Sequence, residues 1–425
     1  MPQSPLRIAM ISYHTCPLAT LGGKNTGGMN VYVRELTHYL GRAGVHVDVF
    51  TRSEDEHVPH VLHDLGYGNR VVHIPAGPEH PLPKEELASH IPEFADGILT
   101  FAREKSLKYD LIHSHYWMSG IASIDLQKEW RVPIISMFHS LQKLKNQIAR
   151  SAEEREGQYR IDGEERVIRH STCIVTATPA EEQQLTTLYH ADPQRLYSIP
   201  PGVDTSHFYP IPGDEAKAVV GIPEKDRMLL FVGRIEPLKG VDTLVRAIAH
   251  MRKLGVLGKC PHYLAIIGGE PDVSPENMDA EMKRLQELCH TLGIGDLVLF
   301  LGKRDQNLLP YYYSAAEVVI MPSHYESFGM VALEAMACGT PVVASQVGGL
   351  VYLVQDNVTG VLIPDGDPIA LGETLTRLIR NDDLREQLGD QANEYAQAYS
   401  WEIIAEKMKK LYYEICLGQA VNGME

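Results

Sequence analysis

The chain alternates between short apolar runs and stretches whose apolar residues recur at helical spacing, and the alternation starts over near its middle. In the first half "RIAMIS" (Arg7–Ser12), "VHVDVFT" (45–51), "RVVHIP" (70–75), "LIHSH" (Leu111–His115), "VPIISMFH" (132–139) and "CIVTAT" (173–178) read as strands. Between the first two, "MNVYVRELTHYLGRAG" (29–44) reads as a helix stopped by Gly44. The pattern resumes with "RMLLFVGRI" (227–235), the helix "VDTLVRAIAHMRKLG" (241–255), and the strands "HYLAIIGG", "LVLFLG", "EVVIMPS" and "PVVASQ". Strands and helices in this order argue for a parallel sheet wrapped by helices. The expected fold is therefore α/β, with two Rossmann-like, doubly wound domains facing across a cleft. The expected division is 1–202 and 203–395, because Pro and Gly cluster at "YSIPPGVDTSHFYP" (197–210) and the periodicity breaks there. A last amphipathic helix within 396–425 is expected to pack back on the first domain. In such sheets ligands bind beyond the carboxyl ends of the strands, so the loops after the strands should carry the chemistry.

Composition removes several function classes. A net charge of -16 over 425 residues disfavours general attraction to nucleic acid or anionic lipid, so any phosphate site must be a local basic patch. The apolar run near the first residue is too short for a secretory leader, and no stretch approaches the ~20 apolar residues of a membrane span. The expectation is a cytoplasmic protein with no membrane span. Its six cysteines are scattered without CxxC or metal-ligand spacing, and read as reduced thiols. Asn357-Val358-Thr359 forms a glycosylation sequon, which fits chance in a chain read as unsecreted.

Four motifs stand at strand ends. Gly27 and Gly28 precede the helix expected near Asn30, where unpaired N–H groups and partial positive charge suit an anion or a sugar. The same residues serve equally as a flexible turn, and G-x-G-x-x-G is absent, which disfavours a dehydrogenase. In "FVGRIEPLKG" (231–240), Arg234 and Lys239 lie on one strand-end loop, where two cations suit a diphosphate leaving group. Solvated surface cations are the plain alternative. In "PSHYESFGMVALEAMACGTPVVAS" (322–345), Glu326 precedes a helix and Glu334 follows on its second turn; two carboxylates suit the hydroxyls of a hexose and a ribose. An unpaired Glu334 inside that apolar segment would be costly. In "SMFHSLQKLKN" (136–146), His139 lies just past a strand, where it can orient a hydroxyl or simply be a satisfied loop histidine. Lys143, Lys145, Arg150, Arg155 and Arg160 follow; Glu153, Glu154 and Glu156 among them fit a solvated face, although a phosphate site needs only two or three cations.

Taken together, the Gly-Gly before the first helix, "GRIEPLKG" and the E-x7-E from Glu326 to Glu334 resemble the retaining GT-B glycosyltransferases of group 1, family 4, over nearly the whole chain. Within that class "SYHTCPLA", "GGMNVYV", "FTR", "AGP", "LPKEEL", "HSHYWMSG" and "HSLQKLKN" are similar to the D-inositol-3-phosphate glycosyltransferases of mycothiol synthesis. The resemblance implies a UDP-linked donor held by Gly28, Arg234, Lys239, Glu326 and Glu334, with His14 nearby. Gly27, Ser327, Phe328 and Gly329 are added to that donor set. It implies a small phosphorylated acceptor held by Asn30, Lys84, Tyr116, Ser140 and Arg160, the last four at its phosphate; Lys145 is added there. Ser140 stands where that family has threonine, and keeps the hydroxyl. "His-Ser-Leu" after the strand also matches sucrose-phosphate synthases, whose acceptor is fructose 6-phosphate, although Met29 stands where they carry Gln. Mg2+ is compatible with the resemblance, through backbone near "YYYSAAE", but the reading does not require it and expects no side-chain metal site. A homodimer is among the assemblies such a chain allows.

The implied mechanism retains configuration: the acceptor hydroxyl attacks from the face the diphosphate leaves, and a β-phosphate oxygen takes its proton. Arg234 and Lys239 stabilise the leaving charge, Glu326 positions the hexose, and His139 steadies it; these four form the expected catalytic set. The rival readings are a UDP-sugar 2-epimerase, which needs no acceptor, and a non-catalytic sugar-nucleotide binder, which would need only one of the two charged sets.

Overall fold

The computed structural model describes residues 5–19, 26–149, 155, 157–257, 262–271, 273–274, 276 and 278–418. Arg150, Glu153, Glu154, Glu156, Cys260, the stretch 20–25 and the tail beyond 418 lie outside the described residues. The chain forms two compact units. The first holds the described residues of 5–19, 28–201 and 401–418, and the second those of 26–27 and 202–400.

In the first unit eight strands, β1 (Arg7–Ile11), β2 (His46–Arg52), β3 (Val61–Leu62), β4 (Arg70–Ile74), β5 (Leu111–His115), β6 (Ile134–Met137), β7 (Cys173–Thr176) and β8 (Leu196–Ser198), form one sheet in the order β3-β4-β2-β1-β5-β6-β7-β8. All pairs are parallel except β3 with β4. Met10 of β1 sits opposite Val49 on one side and His113 on the other. The order reverses at that central strand: the chain runs from β1 outward to β4, then crosses back to place β5 on β1's other edge. Ligand sites of doubly wound sheets lie at such a reversal. The helix Trp401–Cys416 belongs to this unit and packs on the helix Gly28–Arg42, with Tyr32 and Trp401 rings 5.5 Å apart.

The second unit builds β9 (Arg227–Val232), β10 (His262–Ile267), β11 (Val298–Gly302), β12 (Ala316–Met321), β13 (Val342–Ser345) and β14 (Gly360–Ile363) into a parallel sheet ordered β11-β10-β9-β12-β13-β14. Here the reversal lies between β9 and β12, where Leu230 faces Val319. The helix Val241–Lys253 shows why the helices dock: Val241, Leu244, Val245 and Ile248, spaced three and four apart, are buried against Leu229, Phe231 and Leu264 of the sheet. Each such fully buried aliphatic side chain contributes about 1.5–3 kcal/mol. Among the described residues no helix is long and apolar enough to cross a membrane, and no group of three or more His, Cys, Asp or Glu side chains gathers as for a metal ion. Cys16, Cys173, Cys289, Cys338 and Cys416 are free thiols.

Candidate active site

In the first unit the reversal between β1 and β5 carries most of the expected acceptor set. β1 ends at Ile11, and His14 follows within the turn that Ser12 closes by donating its hydroxyl to the Thr15 carbonyl (2.7 Å). Asn30, on the first turn of the helix Gly28–Arg42, is 1% exposed and donates to Thr15 Oγ1 (2.7 Å) and the Cys16 carbonyl (2.8 Å). The helix starts at Gly28, two residues before the position expected from sequence, and the division between units falls between Gly27 and Gly28. Asn30 therefore holds the loop behind β1 rather than standing apart as a bare polar group.

Tyr116 is the centre of this region. It follows β5 directly, with φ of 75°, a left-handed backbone uncommon for a bulky residue, and its N–H donates to the Met137 carbonyl (2.8 Å). Its ring lies 4.4 Å from that of His14. The Arg160 guanidinium carbon sits 4.8 Å from the Tyr116 ring centroid and the Lys84 ammonium 5.9 Å, so two cations share one aromatic ring. Lys84 opens the short helix Lys84–Leu87, whose Leu87 carbonyl accepts from the Tyr13 hydroxyl (2.7 Å). Arg160 donates to the Ser140 carbonyl (3.1 Å), to Ser140 Oγ (3.0 Å) and, through Nε, to Glu164 (2.9 Å). His14, Lys84, Tyr116, Ser140 and Arg160 are thus brought together from five separate stretches. Lys145 stands, partly buried, on the following helix Gln142–Ile148.

Arg160 is held in place by packing. It lies on the first turn of the helix Gln158–His170, and Gly163 on that helix has the Trp117 ring where a Cβ would go, so the helix lies directly on Trp117–Trp130. Glu164 is fully buried and also accepts from the Gln142 N–H (3.1 Å) and the Tyr189 hydroxyl. Burial lifts its carboxyl above the usual range, against the pull of Arg160, Tyr189 and Gln142. The His14 imidazole is pushed down to about 3 by burial first, then by Lys84, His139 and Arg160, so it stays neutral beside two cations.

His139 lies two residues beyond β6, with φ of 58°. Its Nε2 is 3.0 Å from Nδ1 of His115, and its ring meets that of Tyr32 at 5.3 Å. Burial holds its imidazole down at about 3.

In the second unit the segments after β9 and β12 carry Arg234, Lys239, Glu326, Ser327, Phe328, Gly329 and Glu334 of the expected donor set, whereas His14 and Gly28 belong to the first unit. Arg234 follows β9, half-exposed, and pairs with Glu236 at 3.0 Å. Lys239 ends the turn Pro237–Lys239 and pairs with Glu326 at 2.5 Å; their side chains are 17% and 15% exposed. The two charges that sequence spacing assigns to different parts of a donor therefore neutralise one another here. The His324 N–H donates to the Leu238 carbonyl (2.9 Å), tying the loop after β12 to that turn, and His324 Nδ1 contacts Asp365 (2.6 Å). The Glu326 carbonyl accepts from the Gly349 N–H (2.8 Å), and any Cβ on Gly348 (φ 48°) would collide with that carbonyl. Ser327 is partly buried and Phe328 4% exposed. Gly329, at φ of 107°, leads into the helix Met330–Ala337, a backbone conformation that suits glycine. Glu334, on the second turn, is 7% exposed and accepts from the Tyr313 hydroxyl at 2.7 Å. That bond supplies the partner whose lack would have made a buried Glu334 costly.

Several partners escaped the sequence. Glu164 stands four residues after Arg160, a spacing that signals a helical ion pair. Gly348-Gly349 closely follow β13 and precede the helix Leu350–Leu353, and were open to the reasoning applied to Gly27-Gly28. Tyr313, Asp365 and Tyr189 carry no local signal.

Residues 26–207 match the family described as "Glycosyltransferase Family 4", and residues 213–395 match "Glycosyl transferases group 1". A D-inositol 3-phosphate glycosyltransferase of Saccharomonospora viridis is 40% identical over 411 residues, covering 96% of this chain and 94% of that protein. The chain is a group 1, family 4 glycosyltransferase. A second D-inositol 3-phosphate glycosyltransferase of this family, from Thermomonospora curvata, is 40% identical over 96% of this chain and 95% of its own length. Among solved structures the glycosyltransferase is similar to the sucrose-phosphate synthase of Thermosynechococcus elongatus, at 34% identity and a TM-score of 0.88, covering 97% of this chain and all of that one. The two parallel-sheet units of this family 4 enzyme make a GT-B fold.

Proposed function

We propose that the enzyme moves a hexosyl group, with retained configuration, from a UDP-sugar to a hydroxyl of a small phosphorylated polyol, an inositol phosphate being favoured. The observation that carries the acceptor class is the pair of cations on Tyr116, with Ser140 beside Arg160 and neutral His14 against the Tyr116 ring. A phosphate dianion gains two charge-assisted partners and a hydroxyl there. The relatives from S. viridis and T. curvata support inositol phosphate by name.

On this reading Arg234 and Lys239 stabilise the departing diphosphate, whose charge grows as the glycosidic bond breaks. Phosphate oxygens arriving at Lys239 take over its contact with Glu326, which frees the carboxylate to accept from the donor hexose. Glu334, held by Tyr313, accepts from the ribose, and Gly27, Gly28, Ser327, Phe328 and Gly329 complete the donor set that the family resemblance suggests. A β-phosphate oxygen takes the acceptor proton, so no side chain need act as base. Glu317, which ends the stretch 311–317, is paired with Arg385 (2.6 Å), and the reading requires no metal. We assign the reaction to the cytoplasm, where sugar nucleotides are made.

A second acceptor, fructose 6-phosphate, is favoured by Ser140-Leu141 and by the likeness to a sucrose-phosphate synthase. Released UDP should be measured for UDP-glucose and UDP-N-acetylglucosamine against inositol 3-phosphate, fructose 6-phosphate and no acceptor. Turnover confined to inositol phosphate supports the reading, turnover with fructose 6-phosphate transfers it to the second acceptor, and epimerised donor without acceptor removes both.

A further inference from the structure

A row of buried imidazoles stands behind His139. His113 and His115, two residues apart on β5, have ring centroids 4.3 Å apart with the rings tilted by 43°, and both are fully buried. His113 Nδ1 lies 2.7 Å from the Tyr412 hydroxyl, and His115 Nδ1 lies 3.0 Å from His139 Nε2. Burial keeps all three rings neutral, with His115 well below the usual histidine range. A neutral imidazole carries one hydrogen, so the contact between His115 and His139 must have one donor and one acceptor.

Burial decides which. His115 Nε2 is enclosed and meets no partner. An N–H orphaned in the interior is rarer and costlier than a bare acceptor position, so the His115 hydrogen belongs on Nδ1. It then donates to His139 Nε2. With Nε2 accepting, the hydrogen of His139 must sit on Nδ1. His139 is only partly buried, and its Nδ1 is neither enclosed nor bonded to a protein group among the described residues.

We propose that His115 is a positioning residue for the transfer reaction: by donating from Nδ1 to His139 Nε2 it locks His139 in the Nδ1–H tautomer, so that the outward nitrogen is a hydrogen-bond donor to a substrate oxygen and not a base. This rests on the reading that His139 lies at the transfer site. It suits a mechanism in which the leaving phosphate takes the acceptor proton, since a second base would compete for it. It also gives the fully buried His115 a role that packing alone does not require: any apolar side chain of similar size would fill the space.

The tautomer is read directly by long-range 1H–15N correlation on histidine-labelled protein, with His139→Ala to assign the signals. The expected spectrum shows His139 protonated on Nδ1 and bare on Nε2. His115→Leu should return His139 to the Nε2–H form that free imidazole prefers, and lower kcat 10- to 100-fold with acceptor KM within about twofold. His115→Asn, whose amide N–H can stand where Nδ1–H stood, should restore the tautomer and most of kcat. A wild-type His139 protonated on Nε2 overturns the proposal, and this spectrum needs no variant to fold. A His115→Leu enzyme with a switched tautomer and undiminished kcat overturns it as well. The spectrum is independent of turnover, so an enzyme that transfers to no phosphorylated acceptor would refute the functional reading and leave the tautomer assignment standing.

Discussion

Arg160→Met separates the structural role of one side chain from the recognition role proposed for it. In the folded protein Arg160 and Glu164 are 1% and 0% exposed, and Arg160 is the cation opposite that buried carboxylate. Removing one member of a buried pair costs about 3–5 kcal/mol, because the remaining charge is uncompensated. For a unit of this size that is a fall of roughly 6–20 °C in its melting transition. The loss should depend on pH. The Glu164 carboxyl is already raised by burial, so the stability it contributes is full below the unfolded value of about 4.3 and is lost as pH rises through the folded value. Without Arg160 the folded value rises further, and the deficit against wild type should be small below about pH 4 and widen toward neutral pH. Arg160→Met with Glu164→Gln removes the stranded charge and should recover most of the stability at pH 7.5. It should not recover acceptor binding: a hydrogen bond to a charged group is worth about 1.5–3 kcal/mol, or about 10- to 150-fold in acceptor KM, with donor KM unchanged. Melting curves at several pH values and two-substrate kinetics measure both. A double variant with wild-type acceptor KM would refute the phosphate role, and a pH-independent deficit in the single variant would refute the buried-pair account.

Lys239→Ala should lower kcat about 100- to 1,000-fold in both transfer and donor hydrolysis, the scale of losing one preorganised charge partner; unchanged turnover removes its assignment to the diphosphate. Tyr313→Phe withdraws the donor from a carboxylate that is 7% exposed, and should destabilise the second unit by about 1–3 kcal/mol while raising KM for UDP-sugar more than for its 2′-deoxy analogue. Equal KM changes for the two donors would separate Glu334 from the ribose. Gly348→Ala forces a Cβ onto the Glu326 carbonyl and should cost at least tenfold in kcat, whereas Gly221→Ala, with open space around its Cβ, should alter stability alone. Equal activities in these two variants would show that Glu326 is not held by that contact.

The strand pattern was legible because parallel strands covered on both faces must be apolar throughout, as in "RIAMI" and "RMLLFV". The strands that escaped lack that signature. β8 is three residues long, partly exposed, and overlaps the start of the Pro- and Gly-rich stretch read as an interdomain connection. β3 is two residues, and β14 opens with glycine. The candidate site was legible as a set of loops, since three of the four motifs closely follow a strand and Gly27-Gly28 lie on the connection from β1 to the first helix. What joins them was not. The ion pair of Lys239 with Glu326 spans 87 residues and the contact of His324 with Asp365 spans 41, and neither leaves a local trace in composition or spacing. The same holds for His115: "HSH" contributes to the family resemblance, but only the fold brings its second histidine to His139.

The central claim is that the cation pair on Tyr116 reads a phosphate on the acceptor. It is tested most directly by comparing kcat/KM for inositol 3-phosphate with that for unphosphorylated inositol, at saturating UDP-sugar. Two charge-assisted contacts predict a preference of at least about 100-fold for the phosphorylated acceptor, collapsing in the double variant of Arg160 and Glu164. Equal kcat/KM for the two acceptors in the wild-type enzyme would contradict it.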